Sequence, residues 1–183
     1  MWTDPNLIKV LKEDGVAVMP TDTVYGIVGM AQSEFVVNRI YELRKRAPDK
    51  PCIIIIGDES DLEKFSIILS DKQKIALKKY WPGPVSIVLD CPDEGLEYLH
   101  RGTKTLAFRV PREEELQKLL KKTGPLIAPS ANTERFPPAT NIAEAKKYFG
   151  DQVDLYIDGG EIKSPTSKVI KLHKNCFVDV LRN

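Results

Sequence analysis

The chain has 183 residues, 42% of them hydrophobic and 29% charged, with 27 Lys and Arg against 26 Asp and Glu. That composition excludes a disordered or collagen-like polypeptide, and a net charge of +1 predicts no strong global attraction to nucleic acid or to a membrane, although basic patches can persist locally. One domain over 1–183 is expected, since a chain of this size buries roughly 70% of the surface that its unfolded form exposes.

The longest apolar stretch, residues 52–56, is far shorter than the ~20 residues that cross a bilayer. The opening MWTDPNLIKV has no signal-peptide pattern, so a soluble cytoplasmic protein is expected. Cys52, Cys91 and Cys176 are too few and too scattered for a disulfide framework or a zinc site, and each reads as a small apolar core residue. His100 and His173 have no ligand spacing with each other or with a cysteine, so no metal site is expected.

In chain order, residues 16–20 (VAVMP) read as a buried strand, followed by a loop and then a helix with Val36, Ile40 and Leu43 on one face. CIIIIGD (52–58) reads as a second buried strand. Ser70 and Gln73 have capping-box spacing ahead of a helix carrying Ile75, Ala76 and Tyr80. VSIVLD (85–90) follows a WPGP turn as another strand. TLAFRV (105–110) reads as a strand closed by Pro111, and REEELQKLLKK as a helix with a Leu116, Leu119, Leu120 stripe and acids in its first turn. A short strand (PLIAPS, 125–130), a polar loop through Pro138, a capped helix over 141–148, a strand with a turn over 153–160, and two closing strands (KVIKL and CFVDVL) complete the chain. Alternating strands and helices predict an α/β sheet, with a mixed, partly antiparallel end.

Neither G-x-x-x-x-G-K-[ST] nor G-x-G-x-x-G occurs, so any nucleotide is held by other means. Hydroxyl and cationic residues instead gather where strands end, which is where ligands sit in open α/β sheets. PTDTVYG (20–26) reads equally as a ligand loop or as a turn in which Asp22 and the threonines cap the next helix or bond their own backbone. Arg44, Lys45, Arg46 and Lys50 suit either a helix C-terminus, whose dipole favours cations, or an anion trap, since guanidinium groups clamp phosphate in bidentate fashion. Strand alternation puts Thr105, Ala107 and Arg109 on one face, and burying an arginine without a carboxylate or phosphate partner is expensive. APSAN (128–132) ends a strand with a hydroxyl and an amide, a turn that can present N–H groups to an anion.

PTDTVYG, RKRAPDKP, WPGP, TLAFRVP, APSAN, DGG with SPTSKVI, and a closing VLR occur in this order over residues 15–182. Together they resemble the YrdC-like (TsaC-type) family of threonylcarbamoyl-AMP synthases. The resemblance implies a single-domain twisted, mixed β-sheet flanked by helices, with a concave basic pocket. It also implies a nucleotidyltransferase that makes threonylcarbamoyl-AMP and pyrophosphate from L-threonine, bicarbonate and ATP. Magnesium would accompany the ATP, and a downstream transferase would carry the product to threonylcarbamoyladenosine in tRNA, with direct tRNA binding left open. By motif, Thr23, Ala128, Arg109 and Ser167 would bind threonine, and Arg44, Arg46, Lys50, Thr105, Ser130, Asn132 and Arg182 would bind ATP, with no covalent nucleophile and no protein-held metal.

The chain departs from the family pattern at Arg44, where lysine is usual, at Lys50 (often Asn), at Pro138 (often Ser), at Lys168 (often Thr), and at Ile55, where some relatives carry a histidine. With the Leu-Arg motif one residue from the end of the sequence, the short form without a further C-terminal domain is expected. A non-catalytic YrdC-like RNA-binding module is the alternative reading, and a related enzyme acting on another small substrate is a third.

Overall fold

The computed structural model describes residues 1–183. In order, the elements are α1 (Pro5–Lys12), β1 (Ala17–Pro20), β2 (Tyr25–Met30), α2 (Glu34–Arg44), β3 (Ile53–Ile55), α3 (Asp71–Leu77), β4 (Val85–Asp90), α4 (Glu97–His100), β5 (Thr105–Arg109), α5 (Glu114–Thr123), β6 (Leu126–Ile127), α6 (Ile142–Phe149), β7 (Leu155–Tyr156), β8 (Lys168–Leu172) and β9 (Val178–Arg182). Short 3-10 segments lie at Glu59–Phe65 and Glu94–Leu96.

The nine strands form one mixed sheet in the order β7-β1-β2-β6-β3-β5-β4-β8-β9. Parallel pairs (β1 with β7, β3 with β5, β4 with β8) are interspersed with antiparallel ones across its whole width. Antiparallel pairing is therefore not confined to the closing strands, as the alternation of elements had implied.

The expected strands and helices are present, and β2, α1, the short α4 and the two 3-10 segments are additions to them. Residues 25–30, read as part of a loop, form β2, which pairs with β1 through Pro20↔Tyr25 to make a hairpin. PTDTVYG thus leads into a strand, and Asp22 has no helix to cap. The longest added helix is α1, whose signals are Asp4 accepting from the Asn6 N–H and Pro5 at the first turn. The capping box of Ser70 and Gln73 forms as the spacing predicts.

Successive residues of a strand face opposite sides, so β1, β2 and β3 each feed two cores. On one side Val16, Val18, Ile27 and Ile54 join Val36, Val37 and Ile40 of α2 and Phe149 of α6. On the other, Ala17, Met19, Val28 and Ile55 pack with Leu7 and Leu11 of α1 and with Leu116, Leu119 and Leu120 of α5. Helix α2 lies so close to the sheet that a Cβ on Gly29 would sit 2.3 Å from the Val36 side chain, which is why β2 carries glycine there. Helices α1 and α5 cover only part of their side. The face of β3, β5, β4 and β8 that carries Ile53, Ala107, Val88 and Val169 is left open, and there it floors a concavity.

Candidate active site

That concavity is a cavity of about 340 Å³. Its walls are loop ends: the β1–β2 turn supplies Thr21, Thr23 and Val24, the end of α2 supplies Arg44 and Arg46, and the segment after β6 supplies Ala128, Pro129 and Ser130. Thr103 and Thr105 stand at the start of β5, Thr166 and Ser167 precede β8, and Leu181 and Arg182 close it from β9.

Local chain reversals set these positions. Helix α2 ends on Lys45 in the left-handed region at φ 48°, with the Lys45 and Arg46 N–H groups bonded back to Glu42 and Tyr41 carbonyls. This tight turn places Arg44 and Arg46 on the cavity while Lys45 serves as the cap. The β1–β2 turn is closed by Thr21, whose N–H and hydroxyl both donate to the Val24 carbonyl at 3.1 and 2.7 Å. The segment after β6 is laced to β2 by Ile27 N–H to the Pro129 carbonyl and Ala131 N–H to the Tyr25 carbonyl, 3.0 and 2.7 Å.

At one end lies Arg109. It is buried, and the carboxylate that its burial requires is Asp22: Oδ1 accepts from Nε at 3.0 Å and from Nη2 at 2.9 Å, the two side chains being only 3% and 2% exposed. The Arg109 Nη1 donates to Ser86 Oγ at 3.4 Å, and Ser86 and Ser167 share a 2.9 Å hydroxyl contact. Arg182 then donates to the Ser167 carbonyl at 2.7 Å. A single polar chain therefore runs from the β1–β2 turn to β9. Burial lowers the Arg182 pKa, and the positive charges of Arg109 and Arg46 lower it further.

At the other end, Arg44 is held by neutral groups alone. Its Nε donates to the Asn132 carbonyl, and its Nη2 to Asn132 Oδ1 and Ser130 Oγ, all at 3.1 to 3.3 Å. Its Nη1 is buried with no partner. Burial lowers its pKa, the signature of a cation held without a compensating anion in contact. Arg46 donates to the Lys50 and Pro51 carbonyls, both at 2.9 Å.

Of the residues named from sequence, Thr23, Ala128, Arg109, Ser167, Arg44, Arg46, Thr105, Ser130 and Arg182 all line this cavity. Asn132 and Lys50 do not. Asn132 lies behind Ser130, accepting its hydroxyl at 2.6 Å while holding Arg44. The Lys50 ammonium points away to Glu134 at 2.9 Å. Asp22 and Ser86 were not singled out as site residues. Asp22 looked like an ordinary turn residue, and only the polar Ser86 within VSIVLD hinted that one position of that strand faces something other than core.

The cavity wall contains four arginines and no carboxylate, so it is built for anions. Cys52, the one thiol on the wall, is buried and its pKa is pushed up by desolvation, which suits a packing role. No three His, Cys, Asp or Glu side chains come together as a metal site, and no helix is long and apolar enough to cross a membrane.

The Sua5/YciO/YrdC family model, described as "Telomere recombination", matches residues 9–183. The chain belongs to this family. It is 33% identical over 162 residues to threonylcarbamoyl-AMP synthase of Bacillus subtilis, a match spanning 86% of this chain and 47% of that protein. It is 32% identical over 171 residues to the threonylcarbamoyl-AMP synthase of Idiomarina loihiensis, covering 90% of this chain and 91% of that one. The crystal structure of Pyrococcus abyssi Sua5 complexed with L-threonine superposes with a TM-score of 0.82 at 32% identity, over 91% of this chain and 50% of that chain. The chain thus spans about half the length of the Bacillus and Pyrococcus relatives and nearly all of the Idiomarina one. The twisted mixed sheet flanked by helices is the fold of this family.

Proposed function

We propose that this chain is an L-threonylcarbamoyladenylate synthase, a single YrdC-like domain that works in the cytoplasm and makes threonylcarbamoyl-AMP and pyrophosphate from L-threonine, bicarbonate and ATP. The observation that carries this reading is the pairing, within one cavity, of two unlike anion sites. The charge-compensated Arg109 suits a single carboxylate, while the uncompensated Arg44 with Arg46 suits a polyphosphate. A relative of nearly the same length bearing this activity in its name supports it further.

In this reading Arg109, Ser167, Thr23 and the backbone at Ala128 hold threonine. Arg44, Arg46, Thr105, Ser130 and Arg182 hold ATP, with Asn132 fixing Arg44 and Lys50 at the rim. The threonine amine and bicarbonate condense to a carbamate with loss of water. A carbamate oxygen attacks the α-phosphorus, the bond from that phosphorus to the β-phosphate bridging oxygen breaks, and pyrophosphate leaves. The protein supplies no nucleophile; it aligns the reactants and meets the charge developing on the phosphate oxygens with fixed guanidinium groups. A magnesium ion would enter with ATP as part of that substrate and would help to neutralise the phosphate charge. The product feeds a transferase that modifies tRNA.

Pyrophosphate release from ATP and bicarbonate tests this reading, comparing L-threonine with L-serine, glycine and no amino acid. Threonine-dependent release is expected. Background release with every amino acid would overturn the reading.

A further inference from the structure

The polar contacts of Asp22 are unusual for a turn residue. Asx side chains in turns ordinarily bond their own backbone, but this turn is already closed by Thr21. Both polar contacts of Asp22 go to Arg109, through Oδ1 alone, while Oδ2 is buried with no partner. The ion pair is almost fully withdrawn from water, and such pairs contribute little net stability because desolvation offsets the attraction. Stability therefore does not account for it.

Geometry does. A guanidinium group has two edges that can grip a carboxylate, the Nε–Nη2 side and the Nη1–Nη2 end. Asp22 occupies the side edge, and Ser86, fully buried, accepts from Nη1. Neither residue lines the cavity. They grip Arg109 from behind on two edges of its plane, and that fixes which N–H groups face the cavity.

We propose that Asp22 and Ser86 are positioning residues that lock the Arg109 guanidinium in the orientation for clamping the carboxylate of an amino-acid substrate. Asp22 also neutralises the arginine, so the subsite accepts one anionic group on a compensated pair rather than attracting phosphate. The inference rests on the proposed synthase reading, in which Arg109 holds threonine. Freed of Asp22, the guanidinium regains rotation about its long side chain and loses the alignment on which a bidentate contact depends.

Calorimetric binding of L-threonine and of ATP, with thermal melting, tests this on the full chain and on Asp22→Asn, Asp22→Glu and Ser86→Ala. Asp22→Asn is expected to weaken threonine about tenfold or more, with ATP affinity within about twofold of the parent. Asp22→Glu, which keeps the charge, is expected to recover most of that loss. Ser86→Ala removes one hydroxyl and is expected to cost threonine about three- to fivefold, the scale of one hydrogen bond. If Asp22→Asn does not fold, Ser86→Ala decides alone. Folded variants that bind threonine as the parent does, or that lose threonine and ATP equally, overturn the inference while leaving the synthase reading in place. A parent protein that binds ATP but no threonine overturns the reading and the inference with it.

Discussion

Arg44 and Arg109 are equally buried, each 3% exposed, and they face one cavity, yet they are held in opposite ways. Arg109 has a carboxylate against its side edge; Arg44 has an amide, a hydroxyl and a backbone carbonyl, with one nitrogen left unpartnered. The difference shows that burying a cation does not by itself fix the potential that it projects. A compensated guanidinium recognises shape at close range, whereas an uncompensated one projects a positive field into the cavity and draws in highly charged ligands. Placing one of each in a cavity of about 340 Å³ sorts two anionic substrates to two ends without a wall between them.

The largest break in this contrast is expected from Arg44→Ala. Removing the uncompensated cation should lower pyrophosphate release by about 10² to 10³-fold, with the loss in the ATP dependence, as steady-state assays would show. The stability effects should run the other way. Arg109→Ala strands the Asp22 carboxylate in the interior, which costs about 3–5 kcal/mol, whereas Arg44→Ala leaves only neutral acceptors behind, at about 1–3 kcal/mol. Denaturant melts should therefore rank Arg109→Ala as the less stable variant, and its KM for threonine should rise far more than its KM for ATP.

The smallest expected effect lies at the rim. Lys50 and the Ala47 N–H hold Glu134 at a pKa of about 2, below its ordinary value of 4.5. A carboxylate depressed in the folded state contributes stability at neutral pH that begins to be lost below about pH 4.5 and is gone below its folded pKa. Because the Lys50 side chain is 55% exposed, salt should screen its contact with Glu134. In Lys50→Ala the Glu134 titration followed by NMR should move up toward 4.5 and stop short of it, since Ala47 still donates.

What could be read from the sequence tracks the range of the interaction responsible. Alternation along TLAFRV correctly placed Thr105, Ala107 and Arg109 on the cavity face, and the Ser70 capping box was legible because both are set within a few residues. Strand β2 was not, because YGIVGM is buried on both faces and shows no alternation. Helix α1 carried its Asp4 and Pro5 signals in plain view but is only eight residues long. The partner of Arg109 could be foreseen in kind, as an anion, but not in identity. Asp22 lies 87 residues away and meets it only through the order of strands in the sheet. The same holds for Asn132, whose bond to Arg44 spans 88 residues.

The polar chain from Asp22 through Arg109, Ser86 and Ser167 to Arg182 joins the first turn between strands, β1–β2, to the last strand. Contacts so distant along the chain must absorb the entropy of closing long loops before they return any favourable energy, so they belong to the slow part of folding. The cavity is then among the last features to mature. A polypeptide with most of its helices and hairpins already formed would have little of it, and ligand capture during refolding would mark arrival at the native state rather than progress toward it.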